Sequence, residues 1–559
     1  MNRILLQILF LILLCINFGQ SDAKDRYWVF FSDKQGVEFD PYTYFDEKTI
    51  QKRALLGMSL SEYTDLPVKD DYISEVRKIS GDVCVVSRWM NAVSINVSKY
   101  NLDKINQLPF VIKTIPVTMN AQPAAKKPFK PEINGYIDYL RTQQLESMGA
   151  SFFENMGING KGIRIAVFDG GFPGVDTSPV FNHLRENNQI IATWDFVKNR
   201  EFVYSFNSHG TSVLTCIAGM LEEKKFGMAT GSEFLLARTE VAREVLSEEE
   251  NWLAAMEWAD KHGADIINSS LGYTYHRYYQ RQMDGHSTIV SRAASLAAAK
   301  GILVVNAAGN DGDNFWQVIG APADADSILT VGGVQPAHGI RIHFSSIGPT
   351  YDGRLKPNVC AFGEVATSDA GKIKKAFGTS FAAPLVTGFA ACVMQIHPEW
   401  NNMEVYNEVQ KSGHLYPYFD YTHGYGVPQA SCFTVNKTEN EPSFFFSEDN
   451  DSLRIVFISE DYTEKDLYKE QDERQAHNNY PSGENNESIS TSVVHNRYDA
   501  DDMYMYFHIR KNKDNEILKR YAVVSIMPDT NYFSLPKNEL EGNVVQVFFR
   551  GYSKEYTSK

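Results

Sequence analysis

The sequence predicts an α/β fold: a layered central domain with a mostly parallel sheet, preceded by a small α+β unit and followed by a compact β domain. Three observations predict it. Between residues 137 and 435, short isoleucine- and valine-rich runs alternate with longer helical ones, which is what strands buried on both faces of a parallel sheet demand. Residues 24–130 mix strand and helix patterns in a stretch too short to hold the main core. Beyond Lys437 helical periodicity disappears and strand runs take over.

The chain has 559 residues, 43% hydrophobic and 22% charged, which at roughly 150 residues per domain leaves room for three or four domains and a large core. Its net charge of −15 argues against a nucleic-acid partner, because affinity for phosphates comes mainly from lysine and arginine.

Residues 1–23 carry Arg3, then a run of about 15 mostly apolar residues, then small ones, the three-part layout of a secretory signal. The run falls short of the 18 or so residues needed to span a bilayer. Cleavage after Gly19 or after Ala23 fits equally, and Cys15 reads as filling the apolar run. The chain is therefore expected to be exported to a secreted, periplasmic or surface location. No second apolar run reads as a membrane span in the mature chain.

The unit at 24–130 reads as a strand "RYWVFF", a helix from Asp46, a strand pair around "VCVVSRWMNAVSINV", a helix near "KYNLDKINQL" and a strand "FVIKTIPV". "AQPAAKKPFKPEINGY" follows, where proline, lysine and alanine crowd together without a period, an exposed linker that a protease could enter. In the central domain "IRIAVFD", "EFLLARTE", "ADIINSSLG" and "ILVVNAAGN" read as strands. "TSVLTCIAGML", "NWLAAMEWADKHG" and "SRAASLAAAKG" read as helices. At 440–559 the runs "LRIVFIS", "MYMYFHIR", "RYAVVSIM" and "VVQVFFRGY" read as strands of a sandwich-type domain, with "KNKDNE" as a hairpin connection. The polar stretch "EDYTEKDLYKEQDERQAHNNYPSGENNES" reads as a solvated loop. Among six cysteines, Cys216 and Cys392 lie in apolar helical runs and are expected as buried free thiols; export permits disulfides without requiring them.

Ligands on such sheets bind past the carboxyl ends of strands. Asp169 ends "IRIAVFD" and is followed by two glycines that admit a close neighbour. His209 precedes Gly210 and a helix expected to start near Thr211. Ser380 stands between Gly-Thr and an apolar helix, with Pro384 expected in or near its first turn. Alone, each has a structural reading: Asp169 bonding turn amides, His209 packing, Ser380 capping its helix.

Together, Asp169, "HGTS" at His209 and "GTSFAAP" at Ser380, in that order, resemble the subtilisin-like serine proteases, the subtilases. "INSSLG" (Ile267 to Gly272), "AAGN" with Asn310, "FSSIGPTYDGRLKPNVCAFG" and "GYGVPQA" fit the same family. The likeness covers the central domain. It implies a three-layer subtilisin-like fold and a triad in which Ser380 is the nucleophile, His209 the base and Asp169 the group that orients the ring. It implies Asn310 as oxyanion donor, and Ser270, Leu271 and Gly272 as the strand against which a polypeptide substrate lies extended. It also implies that 24–130 is a prodomain that assists folding and inhibits the enzyme from within the chain until cut away; an accessory domain that stays attached is the other reading.

Two departures stand out. Subtilases usually carry serine or threonine after the aspartate, and here Gly170 removes that hydroxyl. Phe377 stands where smaller or polar residues often precede "GTS". No HExxH, CxxC pair or aspartate-rich calcium loop supports a metal, and no cofactor is required. The resemblance makes structural calcium an expectation without a location. The expected protein is thus an exported endopeptidase made as a zymogen, with a catalytically weak peptide-binding protein on the same scaffold as the alternative.

Overall fold

The computed structural model describes residues 24–117, 135–240, 247–275, 277–433, 441–458, 503–511, 517–527 and 530–558. The expected signal, nearly all of the linker, the polar 460–488 stretch and the "KNKDNE" connection lie outside the described residues.

The N-terminal unit is a four-stranded antiparallel sheet, ordered Val85–Ser87, Ala92–Val97, Asp25–Phe31, Val111–Pro116. Alternation along Asp25–Phe31 sends successive side chains to opposite faces. Val29 and Phe31 pack under the unit's own helices Asp70–Ser80 and Lys99–Asn106. Trp28 and Phe30 face the other way and join the core of the central domain, against helices Ser247–Lys261 and Ile289–Ala299. The Asp70–Ser80 helix carries no marked signal in the sequence reading and is an addition to it.

The central sheet has seven strands, ordered Val359–Phe362, Leu329–Val334, Leu303–Ala307, Ile266–Ser269, Arg164–Asp169, Glu233–Arg238, Ile190–Asp195. Every neighbouring pair is parallel. Ile165 and Val167 point into one core with helices His209–Ala218 and Thr379–Ile396, while Ala166 and Phe168 point into the other. Both faces are dry, hence the near-continuous apolar runs.

Helix Thr379–Ile396 needs comment. Its 18 residues are long and apolar enough to cross a bilayer, contrary to the expectation that no second run would be, yet the helix is mostly buried inside the protein. Pro384 lies in its second turn, not its first. Proline has no N–H for the carbonyl four residues back, which is that of Ser380, and the Ser270 hydroxyl donates to that carbonyl instead (2.8 Å). A break in the helix ladder is thereby converted into a tie between this helix and the segment that follows the strand Ile266–Ser269. An unforeseen hairpin, Glu364–Asp369 with Lys372–Phe377, delivers the chain to Gly378.

The C-terminal region is a sandwich of a three-stranded and a four-stranded sheet around Phe444, Leu453, Ile455, Phe507, Val545 and Val547. Tyr506 and Phe548 leave that core and pack on Leu415 and Tyr418 of the central domain. The five described cysteines form no disulfide, and Cys216, Cys360 and Cys392 are buried.

Candidate active site

The site forms where the sequence pattern places it, at the carboxyl edge of the sheet. Asp169 is the last residue of its strand and fully buried. The Gly170 N–H donates to its Oδ1 (2.7 Å), and its backbone carbonyl accepts the Thr239 N–H (2.9 Å). The carboxylate then lies against His209 Nδ1, with Oδ1 at 3.0 Å and Oδ2 at 2.9 Å. His209 opens the helix His209–Ala218 itself, two residues earlier than expected. Burial opposes charging of the imidazole, but the adjacent Asp169 carboxylate outweighs it, so the pKa of His209 is raised above its usual value; Lys374 pulls the other way. The ring keeps 30% of its side-chain surface exposed, enough to meet a ligand.

The missing hydroxyl after Asp169 has a counterpart in the loop above it. A Cβ at Gly170 would come within 3.0 Å of the Asn207 Cβ, so Asn207 fills the space a larger residue would take. Its Oδ1 accepts the His209 N–H (3.0 Å). The backbone amide of Gly170 and the side chain of Asn207 together fix what the hydroxyl would otherwise help to fix.

Ser380 is the second residue of its helix, so its N–H belongs to the first-turn donors that have no intrahelical partner, at the positive end of the helix dipole. Gly378 has φ +145°, a conformation open to glycine, and a Cβ there would sit 3.6 Å from Asn310 Nδ2. Thr379 donates from N (2.9 Å) and Oγ1 (3.1 Å) to Asn310 Oδ1, which turns the amide NH₂ away from Thr379. An anion beside Ser380 would meet both donors. The Ser380 hydroxyl itself donates to the Ser270 carbonyl (3.1 Å) rather than to His209. His209 is nonetheless next door, its ring 5.3 Å from that of Phe381.

Ser270, Leu271 and Gly272 continue the strand Ile266–Ser269 past its end. Asn268 donates to Ser270 Oγ (3.2 Å), and Asn306 Nδ2 donates to the Leu271 carbonyl (3.0 Å). Gly272 is exposed, and a Cβ on it would meet nothing nearer than the Ala321 carbonyl at 4.0 Å. The edge is open to an extended peptide. Phe377, next to Gly378, is half exposed, with the Lys375 ammonium 5.0 Å from its ring. Thr379, Asn306 and Asn207 were not singled out from the sequence. Thr379 sits within the "GTS" motif and Asn207 two residues before His209, but nothing in their types distinguishes a positioning role from a solvent-facing one. Among the described residues no group of three histidine, cysteine or acidic side chains is arranged to hold a metal.

Comparison with known proteins finds relatives for two regions of the chain. Residues 160–426 match the model of the subtilase family, and residues 26–132 match the peptidase S8 propeptide domain of Bacteroidota. Subtilisin from Bacillus pumilus is 29% identical over 272 residues, 48% of this chain and 90% of that protein. Subtilisin DY from Bacillus licheniformis is 28% identical over 258 residues, 46% of this chain and 85% of its own. Among solved structures, MycP1 from Mycobacterium smegmatis aligns at 20% identity with a TM-score of 0.44, covering 54% of this chain and 86% of the other. Residues 160–426 thus match a subtilase-family peptidase domain and are similar to subtilisins, and the region ahead of them matches a peptidase S8 propeptide domain.

Proposed function

We propose that this protein is an exported zymogen whose residues Asp169, His209 and Ser380 form the triad that hydrolyses polypeptides through an acyl-enzyme. The observation that carries the reading is the buried Asp169 carboxylate held on His209 Nδ1, with Ser380 and the Asn310 amide at one helix end. On substrate binding, rotation about the Ser380 side chain moves its hydroxyl from the Ser270 carbonyl to His209 Nε2. The ring takes the proton as Oγ attacks the peptide carbonyl, and Asp169 stabilises the imidazolium. Asn310 Nδ2 and the Ser380 N–H receive the oxyanion; loss of one such donor costs about 10²–10³ in rate, a size taken from subtilisin itself. His209 then protonates the leaving amine, and water repeats the sequence to release the acid. Side chains and backbone amides suffice, so no cofactor is invoked, and structural calcium is left to loops outside this chemistry.

Residues 24–130 would be removed and 1–23 would direct export. The substrate would lie antiparallel or parallel along Ser270, Leu271 and Gly272, paired through its backbone.

The test is labelling by a serine-directed fluorophosphonate, with the processed native chain compared against Ser380→Ala. Label on the native chain alone is expected. Equal label on both would remove Ser380 as nucleophile, and an unlabelled native chain would favour the peptide-binding alternative. The pH profile adds a second check. Only neutral His209 can accept the proton, and its pKa is raised, so kcat/KM should rise with pH along a limb centred above 6.5. Asp169→Asn should move that limb to lower pH and reduce kcat by about 10⁴.

A further inference from the structure

The loop that leads into His209 contains a phenylalanine in a conformation that phenylalanine seldom adopts. Phe206 has φ +79°, in the left-handed region where a bulky side chain is an outlier and usually marks a constraint of function. It is also 46% exposed, so the strained backbone presents the ring to solvent and does not hide it in the core. The support beneath is elaborate. The Arg238 guanidinium lies 3.5 Å from the centre of the Phe206 ring. That guanidinium is 4% exposed and is itself held by Asp195 (2.9 and 3.2 Å) and by the Gly170 carbonyl (3.2 Å). Arg200 also lies by this ring, 5.6 Å from its centre and 3.8 Å from Asp195.

The ledge is tied to the catalytic pair at several points. Gly170 follows Asp169, Asn207 follows Phe206, and a Cβ at Gly171 would strike the Ser205 carbonyl at 2.2 Å, so the two loops are in backbone contact. In sheet order the strand of Arg238 adjoins that of Asp169, which adjoins the strand leading to Ser270–Gly272. An extended peptide lying on that last strand alternates its side chains, so every second one turns to the same side of the strand.

We propose that Phe206, held on Arg238, is a specificity-determining residue: the wall of a subsite for an uncharged aromatic or aliphatic substrate side chain flanking the scissile bond on the His209 side. One face of the ring is occupied by a cation and the other offers an apolar surface for offset stacking. Lysine and arginine are disfavoured there, because Arg238 and Arg200 already supply positive charge behind the ring. This proposal rests on the peptidase reading above.

The experiment is a positional scan of fluorogenic peptides with the processed enzyme, Phe206→Ala, Phe206→Asn and Phe206→Tyr. Asparagine tolerates the left-handed backbone and so separates loss of the ring from loss of the loop. At one flanking position the alanine and asparagine variants should lose about 10-fold of the preference for phenylalanine or leucine over alanine and lysine, while the tyrosine variant keeps it. Ratios at the other positions should stay as in the native enzyme. An unchanged profile, or an equal fall in kcat for every peptide, would overturn the proposal, the second result meaning that Phe206 acts only by positioning His209. Fluorophosphonate labelling of the same samples distinguishes the two claims: a labelled variant with a native profile sinks the ledge, whereas an unlabelled native chain sinks the peptidase reading.

Discussion

Two domains dock on the catalytic core, and they do so by different chemistry. The propeptide domain adds a buried charge network to the apolar contact made by Trp28 and Phe30. Arg53, 1% exposed, bonds Asp65 of its own domain (2.7 Å) and Asp260 of the peptidase (3.0 Å), and Lys300 of the peptidase reaches Asp65 at 2.5 Å. Glu257 accepts the Ser87 hydroxyl and the Arg88 and Trp89 amides, and Glu250 receives both Arg26 and Ser94. The C-terminal sandwich is held by rings. Tyr418 packs near Tyr506, His508 and Phe548, with centroids at 6.2, 5.2 and 6.1 Å. A buried ion pair repays its desolvation only while every partner is present, whereas apolar rings lose contact gradually. Charge therefore suits a domain that must hold fully and then leave, and rings suit one that stays.

The largest break in the comparison should come from Lys300→Met. It strands Asp65 and Asp260 without their ammonium, at a cost of about 3–5 kcal/mol, or roughly 10²–10³ in retention. Gel filtration of a chain cut within residues 118–134 would read this directly: early loss of the propeptide domain with an intact peptidase is expected. Full retention would show the network to be neutral. Tyr418→Ala should cost the other interface about 3 kcal/mol. Calorimetry would show the C-terminal transition falling while the propeptide domain holds.

The smallest and sharpest contrast is in pH. Burial first of all lowers the pKa of His508, to about 4; Asp420 and Glu555 raise it slightly, Arg510 lowers it, and Tyr418 covers it. Between about 4 and 6.5 the undocked histidine binds more proton than the docked one, so this interface gains stability as pH rises and loses it as pH falls. The three peptidase carboxylates facing the propeptide domain behave oppositely. Burial raises the pKa of Glu250, Glu257 and Asp260, so the docked state binds more proton above their ordinary values and weakens as pH rises. Asp65, held low because Arg53 and Lys300 outweigh its burial, opposes them. Melts of the cut complex at pH 5 and 7.5 should show the propeptide transition moving down and the C-terminal one moving up. His508→Leu should flatten only the second.

How far these features can be read in advance differs by kind. The alternation in Asp25–Phe31 and the apolar runs of the central strands reveal the sheets, because burial on one or two faces leaves a period in the residues themselves. The marks of the candidate site are legible too: Asp169 ends a strand beside Gly170, His209 opens a helix beside Gly210, Ser380 stands at a helix start two residues after Gly378, and Asn310 follows Gly309. Less was visible in the helices. The start of the His209 helix was displaced because its first turn is stabilised by Asn207, and the position of Pro384 in the second turn made sense only once Ser270 was found replacing its missing donor. The Glu364–Phe377 hairpin pairs locally across Ala370 and Gly371, but its second strand, "KIKKAF", has three lysines and no clear apolar alternation to mark it.

Order along the chain thus determined the α/β class of the central fold and the candidate side chains of the site, since each follows from local periodicity or from residue type. Only the tertiary structure decided that Asn207 packs against Gly170 and accepts the His209 N–H, that the Ser380 hydroxyl rests on Ser270, and that one flanking domain shares a buried ion network with the core while the other meets it through rings. Those outcomes depend on which groups from far-apart segments share a desolvated space, and the free energy of a charge or a hydrogen bond is set by that space rather than by its neighbours in sequence.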